Sequence, residues 1–219
     1  CGELCLAEVE PQECVAKIGK ELVARYGLPF HAFHVSESPA CVGKGPRCKA
    51  TGLTPSELMA RYYDLLDKSV KEANPKCRLF AWTDDFMDWQ NAGLSGLGDM
   101  AKMMPKDAIM GTWYYGPGGT VEFNVKTARL WSSLGHEFTL MGWYDYYNIR
   151  ATAAVARWAR KKGMPCLGTS SWAYPVGMRS DGSLEFLEEV ARCAWRGPRQ
   201  GEPGYVDVDA EMANTQETT

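Results

Sequence analysis

Apolar side chains recur at helical spacing over residues 54–73, TPSELMARYYDLLDKSVKEA. Leu58, Tyr62, Leu65 and Ser69 share one face, which Met59, Leu66 and Val70 widen. Thr54 suits the N-cap, Pro55 the first helical position, and Glu57 completes a capping box. A second amphipathic segment, 11–26, starts at Pro11, turns Val15, Ile18, Leu22 and Val23 inward, and stops at Gly27. Three further helices are predicted. One runs over about 124–134, capped by Asn124 and ended by Gly135; another over about 148–162, capped by Asn148 and ended by Gly163. The last, 183–195, places Phe186, Leu187, Val190, Ala191 and Ala194 at helical spacing.

Between the helices, short apolar runs read as strands: 30–35, 78–83, 108–113, 138–143 and 166–171, with a weaker one at 3–7. Alternation of strand and helix predicts an α/β fold with a parallel sheet. Strand starts at 30, 78, 108, 138 and 166 leave intervals of about 30 residues after the second, which suit a (β/α)8-type TIM barrel. The longer first interval leaves room for a loop at 38–53. Five or six βα units do not close eight strands, so either two or three N-terminal units are absent from this chain or the fold is an open sheet. The first is the expectation: residues 1–196 form the C-terminal part of a TIM-barrel catalytic domain. Its exposed sheet edges would be covered by a missing N-terminal barrel segment or by a homodimer. Residues 197–219 are acidic and short of large apolar groups, which predicts a tail without fixed structure.

Composition narrows the function classes. The net charge of −3 and the lack of any Lys/Arg run give no footing for nucleic acid or an anionic membrane. No apolar run approaches the roughly 20 residues that span a bilayer. The chain begins at Cys1 without an initiator Met or a signal-peptide pattern, so it is expected to be processed or cut from something longer. Of its eight cysteines, Cys41 and Cys48 flank the turn-rich VGKGPR and can close a small disulfide loop in an oxidising compartment. The alternative is eight free thiols.

The carboxyl ends of the strands read HVSES (34–38), AWTDDFMDW (81–89), TWYYGP (112–117), GWYDYYN (142–148) and TSSWAY (169–174). In a barrel these ends form the active-site face. Four strands in succession end in tryptophan: Trp82, Trp113, Trp143 and Trp172. Flat aromatic walls with hydroxyl and carboxylate groups between them suit a sugar ring, whose faces stack while its hydroxyls need hydrogen bonds. Aromatic plugs of a barrel top are the structural alternative. Carboxylates at the same ends are Glu37, Asp84, Asp85 and Asp145, with Asp88 further out. Glycosidic cleavage needs a protonated acid at the leaving oxygen and a second group supporting the cationic transition state. Glu37 and either Asp84 or Asp85 are the candidates, and burial against Trp82 or Trp113 would raise the Glu37 pKa toward that of a general acid. Equally, an aspartate can cap the next turn and Glu37 can be a solvated loop residue.

These strand ends resemble the catalytic barrel of family 20 glycoside hydrolases, the β-N-acetylhexosaminidases. The resemblance covers roughly residues 1–195 and the later part of that barrel. It rests on FHAFHVSES, LFAWTDD, PKDAIMGTWYYG, FTLMGWYDYYN and LGTSSW in this order. It implies a retaining, substrate-assisted hydrolysis in which the 2-acetamido oxygen of the substrate is the nucleophile. Glu37 then matches the acid/base, Trp82, Trp113 and Trp172 match pocket walls, and Tyr144 matches a tyrosine that hydrogen-bonds the acetamido group. His34, Tyr115, Trp143 and Asp145 complete the expected substrate-binding set. Two positions depart from the family. Ser36 stands where the acetamido-orienting Asp precedes the acid, and Ala173 follows Trp172 where an acidic residue is usual. A carbohydrate-binding barrel that has lost the Asp-Glu pair is thus the alternative to a hydrolase.

No cofactor is expected. A metal-dependent hydrolase would draw on His31, His34, Cys41 or Cys48, but period-2 geometry puts His31 and His34 on opposite faces of a strand. Gly116, Gly118 and Gly119 suggest a flexible loop, and no Gly-Lys-Ser/Thr comes after it to make a phosphate cradle.

Overall fold

In the computed structural model the described residues are 5–33, 42–90, 92, 96–116, 118–142, 146–171 and 183–216. They divide into two compact units, Cys1–Met110 and Gly111–Thr219. Each is built of parallel strands alternating with helices, the α/β class that the hydrophobic pattern predicts.

The first unit runs α1 (Val9–Tyr26), β1 (Phe30–Phe33), α2 (Pro46–Ala50), α3 (Pro55–Ala73), β2 (Arg78–Trp82) and α4 (Met100–Met103). Residues 5–7, weakly predicted as strand, are a turn leading into α1. Gly27 ends α1 at φ 61°, a left-handed conformation that needs no Cβ, and its N–H donates to Val23 O at 2.9 Å. The buried face of α1 is Gln12, Ala16, Gly19 and Val23. This corrects the expected face: Ile18 is 52% and Leu22 38% exposed. Small side chains let α1 approach α3 closely, near enough for Ser69 Oγ to donate to Ala16 O at 2.8 Å. The larger Ile18 and Leu22 are turned aside.

The capping box of α3 forms as predicted. Glu57 N–H donates to Thr54 Oγ1 at 3.2 Å, and Thr54 N–H donates to Glu57 Oε2 at 2.7 Å. Those bonds to Thr54 lower the Glu57 pKa. Behind the cap, Leu58, Met59, Tyr62, Tyr63, Leu66 and Val70 are buried. Asn74, just past α3, donates to Leu28 O at 3.1 Å and so ties the helix end to the entry of β1. β1 and β2 pair in parallel, with Phe30 opposite Arg78 and Phe33 opposite Ala81.

β3 (Ile109–Trp113) crosses from one unit into the other. The second unit continues with α5 (Thr120–Leu134), β4 (Phe138–Gly142), α6 (Tyr146–Lys161), β5 (Cys166–Ser171), α7 (Ser183–Trp195) and α8 (Val208–Gln216). β4 and β5 pair in parallel with a shift: Phe138 faces Cys166, while Thr139 faces Gly168. Leu167 is the extra residue of a bulge, and Gly168 takes φ 143° there.

Two helix starts differ from expectation. α5 begins at Thr120 after Gly119 at φ 71°, and α6 begins at Tyr146. Asn124 and Asn148 are consequently not caps but fully buried residues inside their helices. In α7, Ala191 and Ala194 face solvent, whereas Val190 and Cys193 pack with Ile149 and Ala153. The segment expected as a structureless tail carries α8, which lies against α5 and α6. Its acids find donors on α6: Trp158 Nε1 donates to Asp209 Oδ1 at 2.9 Å and Tyr147 Oη to Glu211 Oε2 at 2.8 Å. Val208 is buried beneath them. Among the described residues no helix is long and apolar enough to cross a membrane.

Candidate functional site

At the end of β2 the chain tightens into a 3-10 turn, Asp84–Phe86, closed by Phe86 N–H donating to Thr83 O at 3.0 Å. The turn draws both acids inward. Asp84 is 3% and Asp85 7% exposed, and Thr83 is buried with them. Trp82, half-buried at the strand end, meets Phe80 edge-on, with centroids 5.0 Å apart. Asp88, further out, is exposed.

Tyr63 is a residue of this neighbourhood that sequence reasoning missed, because its place on α3 marks it only as core. It is fully buried and meets Phe86 edge to face at 6.1 Å. Burial, then Tyr62 and the charges of Asp84 and Asp85, push its phenol pKa well above the ordinary value. Tyr63 therefore keeps its proton at neutral pH beside two acids. Taking carboxylates out of water costs several kcal/mol each unless neighbours compensate. Asp84 and Asp85 lie side by side, buried, just past the carboxyl end of β2.

In the second unit, the end of β3 is arranged differently. Trp113 and Tyr115 project to one side and stack, with centroids 4.5 Å apart and planes 20° apart. Tyr114 stacks instead on Phe123 at 4.4 Å, and its hydroxyl donates to Gly118 O at 2.8 Å. A Cβ at Gly116 would lie 2.5 Å from that hydroxyl, so a larger residue there would have to displace the Tyr114 ring.

Asn148 anchors this loop. Its amide donates to Tyr114 O at 2.8 Å, and Gly116 O and Thr120 Oγ1 lie at 3.4 and 3.3 Å. Gly142, at the end of β4, lets α6 come close enough: a Cβ there would sit 3.0 Å from Asn148 Oδ1 and 3.2 Å from Ile149 Cα. Deeper between α5 and α6, Asn124 donates to Thr152 Oγ1 at 3.2 Å. An asparagine ahead of an apolar-periodic helix resembles a cap, and that resemblance hid both buried roles.

The partly buried acid Glu189 has plain structural work. It accepts from Arg150 Nε and Arg192 Nη2, each at 2.7 Å, and from Cys193 Sγ at 3.4 Å. The Arg192 bond foremost, with Arg150 and Cys193, holds its pKa down to about 2.

Of the predicted site residues, the structure brings Trp82, Asp84 and Asp85 together at one strand end and Trp113 and Tyr115 together at another. Glu37, His34, Trp143, Tyr144, Asp145 and Trp172 lie outside the described residues, as do Ser36, Cys41 and Ala173. Among the described residues no three His, Cys, Asp or Glu side chains gather as a metal-binding set. Two grooves lie away from the strand ends. One of about 620 Å³ runs between α1 and α3. The other, of about 300 Å³, is lined by Arg157, Trp158, Lys162 and Tyr205 near the C-terminal end of α6. Neither holds any of the predicted catalytic groups.

Fold and strand ends define a chain of parallel βα units with acids and aromatic rings at the strand termini. No protein-family model matches it, and no curated protein matches it at a significant level.

Proposed function

We propose that the chain is a glycoside hydrolase with Glu37 as general acid/base and Asp84 or Asp85 as the carboxylate supporting the cationic transition state. The observation that carries this is the parallel pairing of β1 and β2 with Phe33 opposite Ala81. The chain leaves both strands at the same end. Glu37 comes as many residues after Phe33 as Asp85 does after Ala81. Trp82 would supply an apolar wall for the sugar. The resemblance to family 20 barrels points to N-acetylhexosaminides as the first substrates to try, and to a TIM barrel completed by further βα units. With Ser36 in place of the orienting Asp, a broader range of glycosides belongs in the same screen.

The test is turnover of a nitrophenyl glycoside panel by the wild type and by Glu37→Gln. The expected result is a fall in kcat of about 10³-fold, the scale of general acid catalysis, with sugar binding, read by tryptophan fluorescence, retained. Unchanged turnover would remove Glu37 from the mechanism.

A second function, non-catalytic carbohydrate binding, is favoured by the Trp113–Tyr115 stack, a ready platform for a sugar face. It predicts saturable fluorescence changes with sugars and no turnover of any glycoside by the wild type.

A further inference from the structure

Cys5 and Cys48 take no part in the strand-end chemistry, yet their sulfur atoms lie 3.9 Å apart across 43 residues of chain. Both are carried on fixed backbone. The turn holding Cys5 is closed by Glu8 N–H donating to Cys5 O at 3.0 Å. Gln12 Nε2 fastens that turn to α1 through Leu6 O at 2.9 Å and Glu8 O at 3.0 Å. Cys48 sits in α2, where Thr51 Oγ1 donates to Cys48 O at 2.6 Å. An ion pair between Arg47 and Glu8 joins the same two segments beside the thiols. Bond formation at about 2.05 Å asks the sulfurs to close by about 1.9 Å. Cys48 is buried and Cys5 only partly so, which makes Cys5 the thiol a dissolved reagent meets first.

We infer that Cys5 and Cys48 are a redox pair that forms a reversible intramolecular disulfide by exchange with a low-molecular-weight disulfide such as oxidised glutathione. The Cys5 thiolate attacks one sulfur of the reagent, a mixed disulfide forms, and the first glutathione leaves as thiolate. The Cys48 thiolate then attacks the Cys5 sulfur and expels the second glutathione. Two protein thiols lose two electrons and two protons, and one glutathione disulfide is reduced to two thiols. The link would close a ring through α1, β1 and α2 and fix the segment preceding α1 to the connection after β1. It differs from the Cys41–Cys48 loop that sequence spacing suggests, and both cannot form at once because they share Cys48.

The test is a titration of the reduced chain with oxidised glutathione, quenched by alkylation and mapped by mass spectrometry. The expected product is one peptide pair joined through Cys5 and Cys48, lost in Cys5→Ser and retained in Cys14→Ser. Its formation raises the thermal midpoint of the wild type by roughly 5–10 °C and leaves that of Cys5→Ser unmoved. Because Cys5 is partly exposed, Cys5→Ser is the mild variant; Cys48→Ala serves as the second, with Cys5 then stopping at the glutathione adduct. The inference is overturned if wild-type Cys5 stops at that adduct, if Cys48 links chiefly to Cys41 or another cysteine, or if both remain open to alkylation in the oxidised sample.

Discussion

The ends of β2 and β3 begin alike, each with a tryptophan closing a parallel strand, and then fold differently. After Trp82 the chain turns inward, buries Asp84 and Asp85 and sets the phenol of Tyr63 near them. After Trp113 it stays half-open, stacks Trp113 on Tyr115, and hangs its carbonyls on Asn148. The difference lies in the residues just past each tryptophan. Thr83 and two aspartates make a tight 3-10 turn, whereas two tyrosines and a glycine make an irregular stretch that needs an outside anchor. Under the proposed function the buried acid pair serves catalysis and the stacked rings serve binding.

The largest stability effect expected is at the anchor. Asn148→Ala removes the donor held by Tyr114 O and neighbouring acceptors, and should cost about 2–3 kcal/mol by denaturant unfolding. Asn148→Asp should cost more, since it sets an acceptor against those carbonyls. If both unfold like the wild type, the β3 end is held by something other than this amide.

A smaller effect separates structural acids from those of the β2 end. Glu189→Gln should lose about 1–2 kcal/mol at neutral pH, discounted for the partial exposure of its arginine partners, and leave turnover unchanged. The sign is set by the depressed pKa. With about 2 in the folded chain against an ordinary 4.5, the carboxylate's contribution is full above the ordinary value and lost as pH falls through about 2. A pH–stability curve of the variant should accordingly be flatter than the wild type's below pH 4.5. The smallest effect is expected at the cap of α3, which supports Tyr63: Thr54→Ala should cost about 1 kcal/mol by thermal melting.

How much of this was legible in the sequence depended on range. The capping box at Thr54 and the αL stop at Gly27 are local, and the structure bears both out within a residue. The inward face of α1 depends on its partner: α3 selects Ala16 and Gly19 for closeness, and no periodicity of large apolar groups reports that. Asn124 and Asn148 failed as caps because asparagine serves equally as a buried connector between segments far apart in sequence. The acidic segment 197–219 read as structureless because its helix rests on polar bonds to α6 rather than on an apolar stripe. Strand position set Asp84 and Asp85 just past the end of β2, where the structure has them, but only the 3-10 turn reveals that they are buried.

The most direct test of the central claim is the paired measurement of kcat and thermal midpoint for Asp84→Asn and Asp85→Asn on the best glycoside of the panel. We expect at least one of them to lower kcat by 10²-fold or more, in the range of about 10²–10⁴ for acid–base groups, while melting within a few degrees of the wild type. Contradiction would come from both variants turning over normally while melting well below it, which would make the two acids a device of folding alone.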